Sequence, residues 1–309
     1  MKNSFPVLTF SLAFLLGACQ NDPKPTAETI SREEKPVEQP SDPKPDAIAP
    51  PVSIRFHALR MKDSGRKVFN GYSEEEQALI LAMNRIDKAN IWRPDTLIIP
   101  DTFIADRNAY SNFPLTVSDL SGVRKMVFFS YPSQTYAIYE NGKLLKWGPT
   151  SMGKKSSKTP TGLFFTNWKG KEVRSTVDEE WILKWNFNIS NRGGVGWHQY
   201  AMPGYPASHS CLRLYADEAK FLYDWADQWV LKDDQLIAHG TPVIVFGEYP
   251  FGQRRPWLNL LENPEALDIS EQEVNNLVAP HLQKILEEQK RSEEVRNTTK
   301  TADTSQTVL

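Results

Sequence analysis

Residues 204–214 read Gly-Tyr-Pro-Ala-Ser-His-Ser-Cys-Leu-Arg-Leu and gather a thiol, an imidazole, hydroxyls and a guanidinium within a few positions. The only other cysteine is Cys19, near the N-terminus. Cys211 therefore reads as an unpaired thiol, and the chemistry open to it is nucleophilic attack on a carbonyl carbon. A free thiol ionises at about pH 8.5, so near neutrality it needs a base within hydrogen-bond reach. Two histidines qualify. His209 lies two positions before Cys211, and in an extended segment positions two apart share a face. His198 lies thirteen positions upstream, at the end of the short stretch Val195-Gly196-Trp197-His198. Spacing alone does not choose between them.

Two other readings compete. Buried free cysteines and core histidines are common. Here two histidines, Ser208, Arg213 and glycine and proline turns converge on one cysteine, which outweighs that reading. A zinc site made of His198, His209 and Cys211 has three suitable donors. It lacks an Asp, a Glu or a second Cys at the usual zinc spacing. No metal and no other cofactor is expected.

The elements that must hold these residues read as mainly β. An apolar run at 125–131 is followed by Tyr136 and Ile138, the turn Asn141-Gly142, and then Leu144, Leu145 and Trp147. Asn-Gly supplies the positive φ angles of a tight hairpin turn. Thr159-Pro160-Thr161-Gly162 is a second turn, leading into Leu163-Phe164-Phe165. Residues 181–189 alternate as a strand, and 242–246 close the β region. Between the cysteine and that last strand the spacing of Ala219, Leu222, Ala226 and Trp229 predicts a helix over 216–230. Ahead of the β region lies an α/β preamble, 52–124. Ser73 and Glu76 form a capping box that opens a helix over 73–87, and a short strand ends at Pro100. After it, 248–309 reads as a helical extension, with a second capping box at Ser270 and Glu273 and a disordered polar tail beyond Arg291.

The N-terminus is a different kind of segment. Lys2, an apolar run over 5–16 and Leu16-Gly17-Ala18 before Cys19 resemble a bacterial lipoprotein signal peptide. The run is shorter than the roughly 20 residues of a spanning helix. Cleavage after 18 would leave Cys19 lipidated and the chain anchored to a membrane. Residues 19–51 carry eight prolines among Lys, Glu, Asp and Ser, so they read as an extended linker of about 3 Å per residue. A net charge of −2 offers no basic field for nucleic acid.

Residues 203–214, preceded by Gly196-Trp197-His198, resemble the catalytic signature of the L,D-transpeptidases, the YkuD family. The resemblance extends upstream to Tyr136 through Lys143, with its Tyr-Glu-Asn-Gly-Lys hairpin, and to 159–162, and downstream to Gly240-Thr241-Pro242-Val243. It covers about 125–247. A weaker resemblance links residues 84–100 to the second half of a LysM wall-binding module. The family implies mixed β-sheets, with flanking helical segments in this chain. It implies that Cys211 is acylated, that His198 is the main proton acceptor, and that His209 orients or polarises the site. Arg213 would order the site or meet a substrate carboxylate. Ser208, Ser210 and Tyr205 would line the substrate path, and backbone amides around Cys211 would form the oxyanion hole. The expected partner is a peptidoglycan stem peptide, met by a monomer at the cell envelope, lipid-anchored and facing the periplasm. The expected reaction forms 3→3 crosslinks with loss of D-alanine. The alternatives on the same acyl-enzyme are an L,D-carboxypeptidase or a wall-anchoring enzyme, and outside it a catalytically weakened wall-binding protein. One position departs from the pattern. The family carries glycine before the cysteine, and here Ser210 stands there. A positive φ at that position would strain a serine by about 1–2 kcal/mol.

Overall fold

The computed structural model describes residues 54–62, 64–175 and 180–306, with side chains as far as 298. The expectations for the signal peptide, Cys19 and the linker fall outside these residues.

The preamble contains β1 (Phe56–Arg60), α1 (Gly65–Phe69), α2 (Glu74–Met83) and β2 (Thr96–Pro100). The two strands pair antiparallel, with Phe56 opposite Pro100. The capping box forms as the sequence indicates: Glu76 N–H donates to Ser73 Oγ, and Ser73 N–H donates to the Glu76 carboxylate. α2 stops at Met83 rather than 87, because Arg85 adopts a φ of 57° and a left-handed residue cannot continue a right-handed helix. Met61, Phe69, Ile80, Ile86, Leu97 and Ile99 form the core of this part.

The remaining strands are β3 (Met126–Ser130), β4 (Thr135–Glu140), β5 (Lys143–Pro149), β6 (Gly162–Phe165), β7 (Lys169–Arg174), β8 (Ile182–Ser190), β9 (Val195–Gln199), β10 (Leu212–Leu214), β11 (Val230–Lys232), β12 (Gln235–Ala238) and β13 (Pro242–Phe246). α3 (Ala216–Trp225), α4 (Glu271–Val278) and α5 (Leu282–Gln306) accompany them. One sheet has the order β5-β4-β3-β13-β6, a second β10-β9-β8-β7, and β11 and β12 form a hairpin. These are mixed sheets with flanking helices, the class that the sequence indicates. Asn141 and Gly142 turn between β4 and β5 with φ of 48° and 75°.

β3 is buried on both faces, which explains its unbroken apolar run. Val127 and Phe129 pack with Trp197, Leu212 and Leu214 of the second sheet. Met126 and Phe128 pack with Val274, Val278 and Ile285 of α4 and α5. The C-terminal extension thus covers the outer face of the larger sheet. The preamble closes a third side, where Leu79, Met83 and Ile98 share a core with Trp147 and Trp257. The buried Arg85 joins the two parts. Its Nε donates to the Ser133 carbonyl at 2.9 Å, and its guanidinium lies 4.9 Å from the Trp257 ring.

Two further expectations are corrected. α3 ends at Trp225, not 230, because Ala226 is extended and the following chain enters the β11–β12 hairpin. That hairpin turns at Asp233 and Asp234, with φ of 50° and 58°. Aspartate tolerates the left-handed region, yet it signals a turn less sharply than Asn-Gly. The disorder expected beyond Arg291 is replaced, as far as Gln306, by α5. Glu, Lys, Arg and Gln are good helix formers. The helix is also fastened: Ser292 is buried, and Arg296 Nη2 donates to the Gln228 carbonyl at 2.5 Å. Among the described residues, no helix is long and apolar enough to cross a membrane.

Candidate active site

β10 pairs parallel with β9, placing Leu212 opposite Trp197, Arg213 opposite His198 and Leu214 opposite Gln199. Trp197, Leu212 and Leu214 enter the core. Strand alternation then sends His198 and Arg213 to the other face, and Cys211, two before Arg213, shares that face. The three line one slot together with His209, Ser208, Trp181 and Tyr200. On its other side the segment around Cys211 is tied to residues 151–154. Arg213 and Ser151 exchange backbone hydrogen bonds of 3.1 and 3.2 Å. Ser208 N–H donates to the Met152 carbonyl at 3.0 Å, and Lys154 N–H to the Ser208 carbonyl at 2.9 Å. The preamble braces the approach to the slot. Asp87 and Met202 are linked by bonds of 2.9 Å (Asp87 N–H to the Met202 carbonyl) and 2.7 Å (Met202 N–H to Asp87 Oδ2).

His198 is 4% exposed. Its Nδ1 lies 2.9 Å from the Gln199 carbonyl. A carbonyl only accepts, so the proton sits on Nδ1 and Nε2 keeps a lone pair. Burial lowers the His198 pKa to about 4; the Gln199 carbonyl opposes this and the Arg213 charge adds to it. Burial raises the Cys211 pKa, against a backbone hydrogen bond from Gly196 and the Arg213 charge. The thiol lies 3.7 Å from the Gly194 carbonyl. The resting site therefore holds a neutral imidazole and a neutral thiol rather than an ion pair.

The other expected residues divide. Arg213 donates to the carbonyls of Ala201 at 3.3 Å and Ala207 at 3.2 Å, with its guanidinium 4.6 Å from the Tyr200 ring. His209 Nε2 lies 2.8 Å from Lys154 Nζ, and its ring centroid 5.3 Å from that of Trp181. Ser208 is buried, and its hydroxyl donates to the Cys211 carbonyl at 2.5 Å, so it shapes the loop. Tyr205 is exposed and stands outside the slot; its carbonyl accepts from Ser151 Oγ at 2.8 Å. Among the described residues no metal-binding cluster of His, Cys, Asp and Glu forms. Trp181, Tyr200 and Lys154 were not singled out in the sequence. No motif marks them, since they come from three separate segments.

Residues 124–245 match the L,D-transpeptidase catalytic domain, the YkuD family. That stretch holds His198, His209, Cys211 and Arg213. Similar solved structures include an L,D-transpeptidase from Stackebrandtia nassauensis, at 25% identity over 41% of this chain and 57% of that one, with a TM-score of 0.34. Another, from Mycobacterium smegmatis, is 23% identical over 40% of this chain and 59% of that one, with a TM-score of 0.33. L,D-transpeptidase 1 of Mycobacterium tuberculosis is 23% identical over 40% and 62%, with a TM-score of 0.30. The chain thus spans less than two thirds of the length of each. Comparison with curated proteins gives no match.

Within the matched segment, Ser210 has a φ of 83°. The serine therefore sits in the conformation that favours glycine. It is held there by its carbonyl, which accepts from Thr159 Oγ1 at 2.9 Å, while Thr159 Oγ1 accepts from Gly153 N–H at 2.9 Å. Ser210→Gly should stabilise the fold by about 0.5–1 kcal/mol, since relief of strain exceeds the added freedom of the unfolded chain. Urea denaturation measures this, and a loss of stability would contradict the strain. The raised thiol pKa sets a second expectation. With burial favouring the uncharged form, alkylation of Cys211 by iodoacetamide should be slow at pH 7 and climb steadily above the ordinary thiol range. A plateau already reached near pH 6 would show a preformed thiolate instead.

Proposed function

We propose that the protein is a cysteine L,D-transpeptidase acting on peptidoglycan stem peptides. The observation that carries this reading is the in-register pairing of β9 with β10. It sets a buried, neutral imidazole and a guanidinium on the same face as Cys211, within the segment that matches the YkuD family. His198 Nε2, the free lone pair of that ring, accepts the thiol proton. The sulfur attacks the carbonyl of the L,D-peptide bond before the terminal D-alanine of a tetrapeptide stem. A carbon–sulfur bond forms, the carbon–nitrogen bond breaks, and the imidazolium returns its proton to the departing D-alanine amine. A side-chain amine of a second stem then attacks the thioester, gives its proton to His198 and displaces the thiol, which leaves a 3→3 crosslink. Water as acceptor would give a carboxypeptidase, and a protein amine a wall-anchoring product. Arg213 supplies a positive charge for a stem carboxylate.

The N-terminal sequence supports a location for this chemistry. A lipid on Cys19 and the proline-rich linker would hold the folded body within the cell envelope, facing the periplasm, several tens of ångströms from the membrane at about 3 Å per linker residue. The protein would act as a monomer.

A carbapenem tests the reaction, since an L,D-transpeptidase has been solved in complex with imipenem. Purified protein incubated with imipenem should gain one covalent adduct by intact mass. Cys211→Ala should gain none, and His198→Ala should acylate at least about 100-fold more slowly. An adduct on Cys211→Ala, or a His198→Ala rate equal to wild type, would remove these residues from their roles.

A further inference from the structure

We propose that Lys154 is a positioning residue that fixes His209 as a hydrogen-bond donor toward a carbonyl oxygen of the stem peptide. The proposal rests on the reaction described above. An ammonium group has three donors and no acceptor. With Lys154 Nζ 2.8 Å from His209 Nε2, that nitrogen must present its lone pair. A neutral His209 then carries its proton on Nδ1. This Nδ1 is buried and has no hydrogen-bond partner among the described residues. A buried N–H without an acceptor is unfavourable, and in a ring that lines the slot an incoming carbonyl would complete it.

The two imidazoles of the slot are thus set in opposite senses. On His198 the Nδ1–H donates to the Gln199 carbonyl, which leaves Nε2 as an acceptor. On His209 the Lys154 ammonium takes the Nε2 lone pair and leaves Nδ1 as a donor. The first suits removal of the thiol proton. The second suits a carbonyl whose oxygen gains negative charge when sulfur attacks. Lys154 is well placed to hold this setting. Its own N–H donates to the Ser208 carbonyl at 2.9 Å, and Gly153 bridges Ser208, so the lysine and the histidine are carried by two directly bonded segments. Trp181 packs against the imidazole, with the ring centroids 5.3 Å apart.

The test uses the full chain with histidine labelled by nitrogen-15. Long-range proton–nitrogen spectra report which nitrogen of His209 is protonated, with His209→Gln assigning the signals. Imipenem acylation is timed on the same samples. Wild type should show His209 protonated on Nδ1. Lys154→Met should shift the proton toward Nε2 and slow acylation about tenfold. Lys154→Arg, which keeps a donor, should restore the Nδ1 tautomer and recover most of the rate. A wild-type His209 protonated on Nε2 would overturn the proposal. So would a Lys154→Met protein that acylates at the wild-type rate, and in that case the reaction itself would stand. Absence of any adduct on wild type would instead overturn the reaction, and the role assigned to Lys154 with it.

Discussion

In the parallel pair of β9 and β10, Arg213 lies opposite His198 and Leu212 opposite Trp197, and this register decides what each side chain can do. A slip of one residue would exchange the faces of the strand. Leu212 and Leu214 would leave the core, and Arg213 would enter it. Full burial of both leucines and of Trp197 makes such a slip costly. β10 is only three residues long, yet it is bonded along both edges, to β9 and, through Arg213, to Ser151. The chemistry of the slot follows from that placement. Burial favours the neutral imidazole of His198 and the protonated thiol of Cys211, the state from which the proposed reaction would start.

The surrounding parts bear on that short strand. Ser210 holds an unfavourable backbone angle immediately before Cys211, and the Gly153–Thr159–Ser210 chain of hydrogen bonds holds it in place. On the approach, Gly204 has a φ of 81°, and a Cβ there would stand 2.6 Å from Ile86 of the preamble. The preamble is therefore packed against the loop that precedes Cys211 rather than hung beside it. The C-terminal helices act at longer range, sealing the far face of the sheet that β3 centres.

Much of this was legible in the sequence wherever a signal is local. Ser73 with Glu76, Asn141-Gly142 and the apolar run of β3 each announce a conformation through their own chemistry. Cys211, His198 and Arg213 were singled out because the segment around them is distinctive, and the fold brings them to one slot. β1 was not, since its exposed residues leave no clean alternation. The length of α5 was missed for another reason: a polar helix gains its order from distant partners such as Gln228 and Arg124. The walls of the slot were illegible on the same ground. Trp181, Tyr200 and Lys154 meet only after two strands and a loop have packed.

The proposed reaction requires that Cys211 be the acylated residue and His198 its base. A tetrapeptide stem offered without an acceptor amine tests it most directly, with the protein digested and its peptides weighed. The account predicts release of D-alanine and a peptide containing Cys211 heavier by the stem less that D-alanine. Release of D-alanine with the mass gained on any other residue, or no gain and no release, would contradict it.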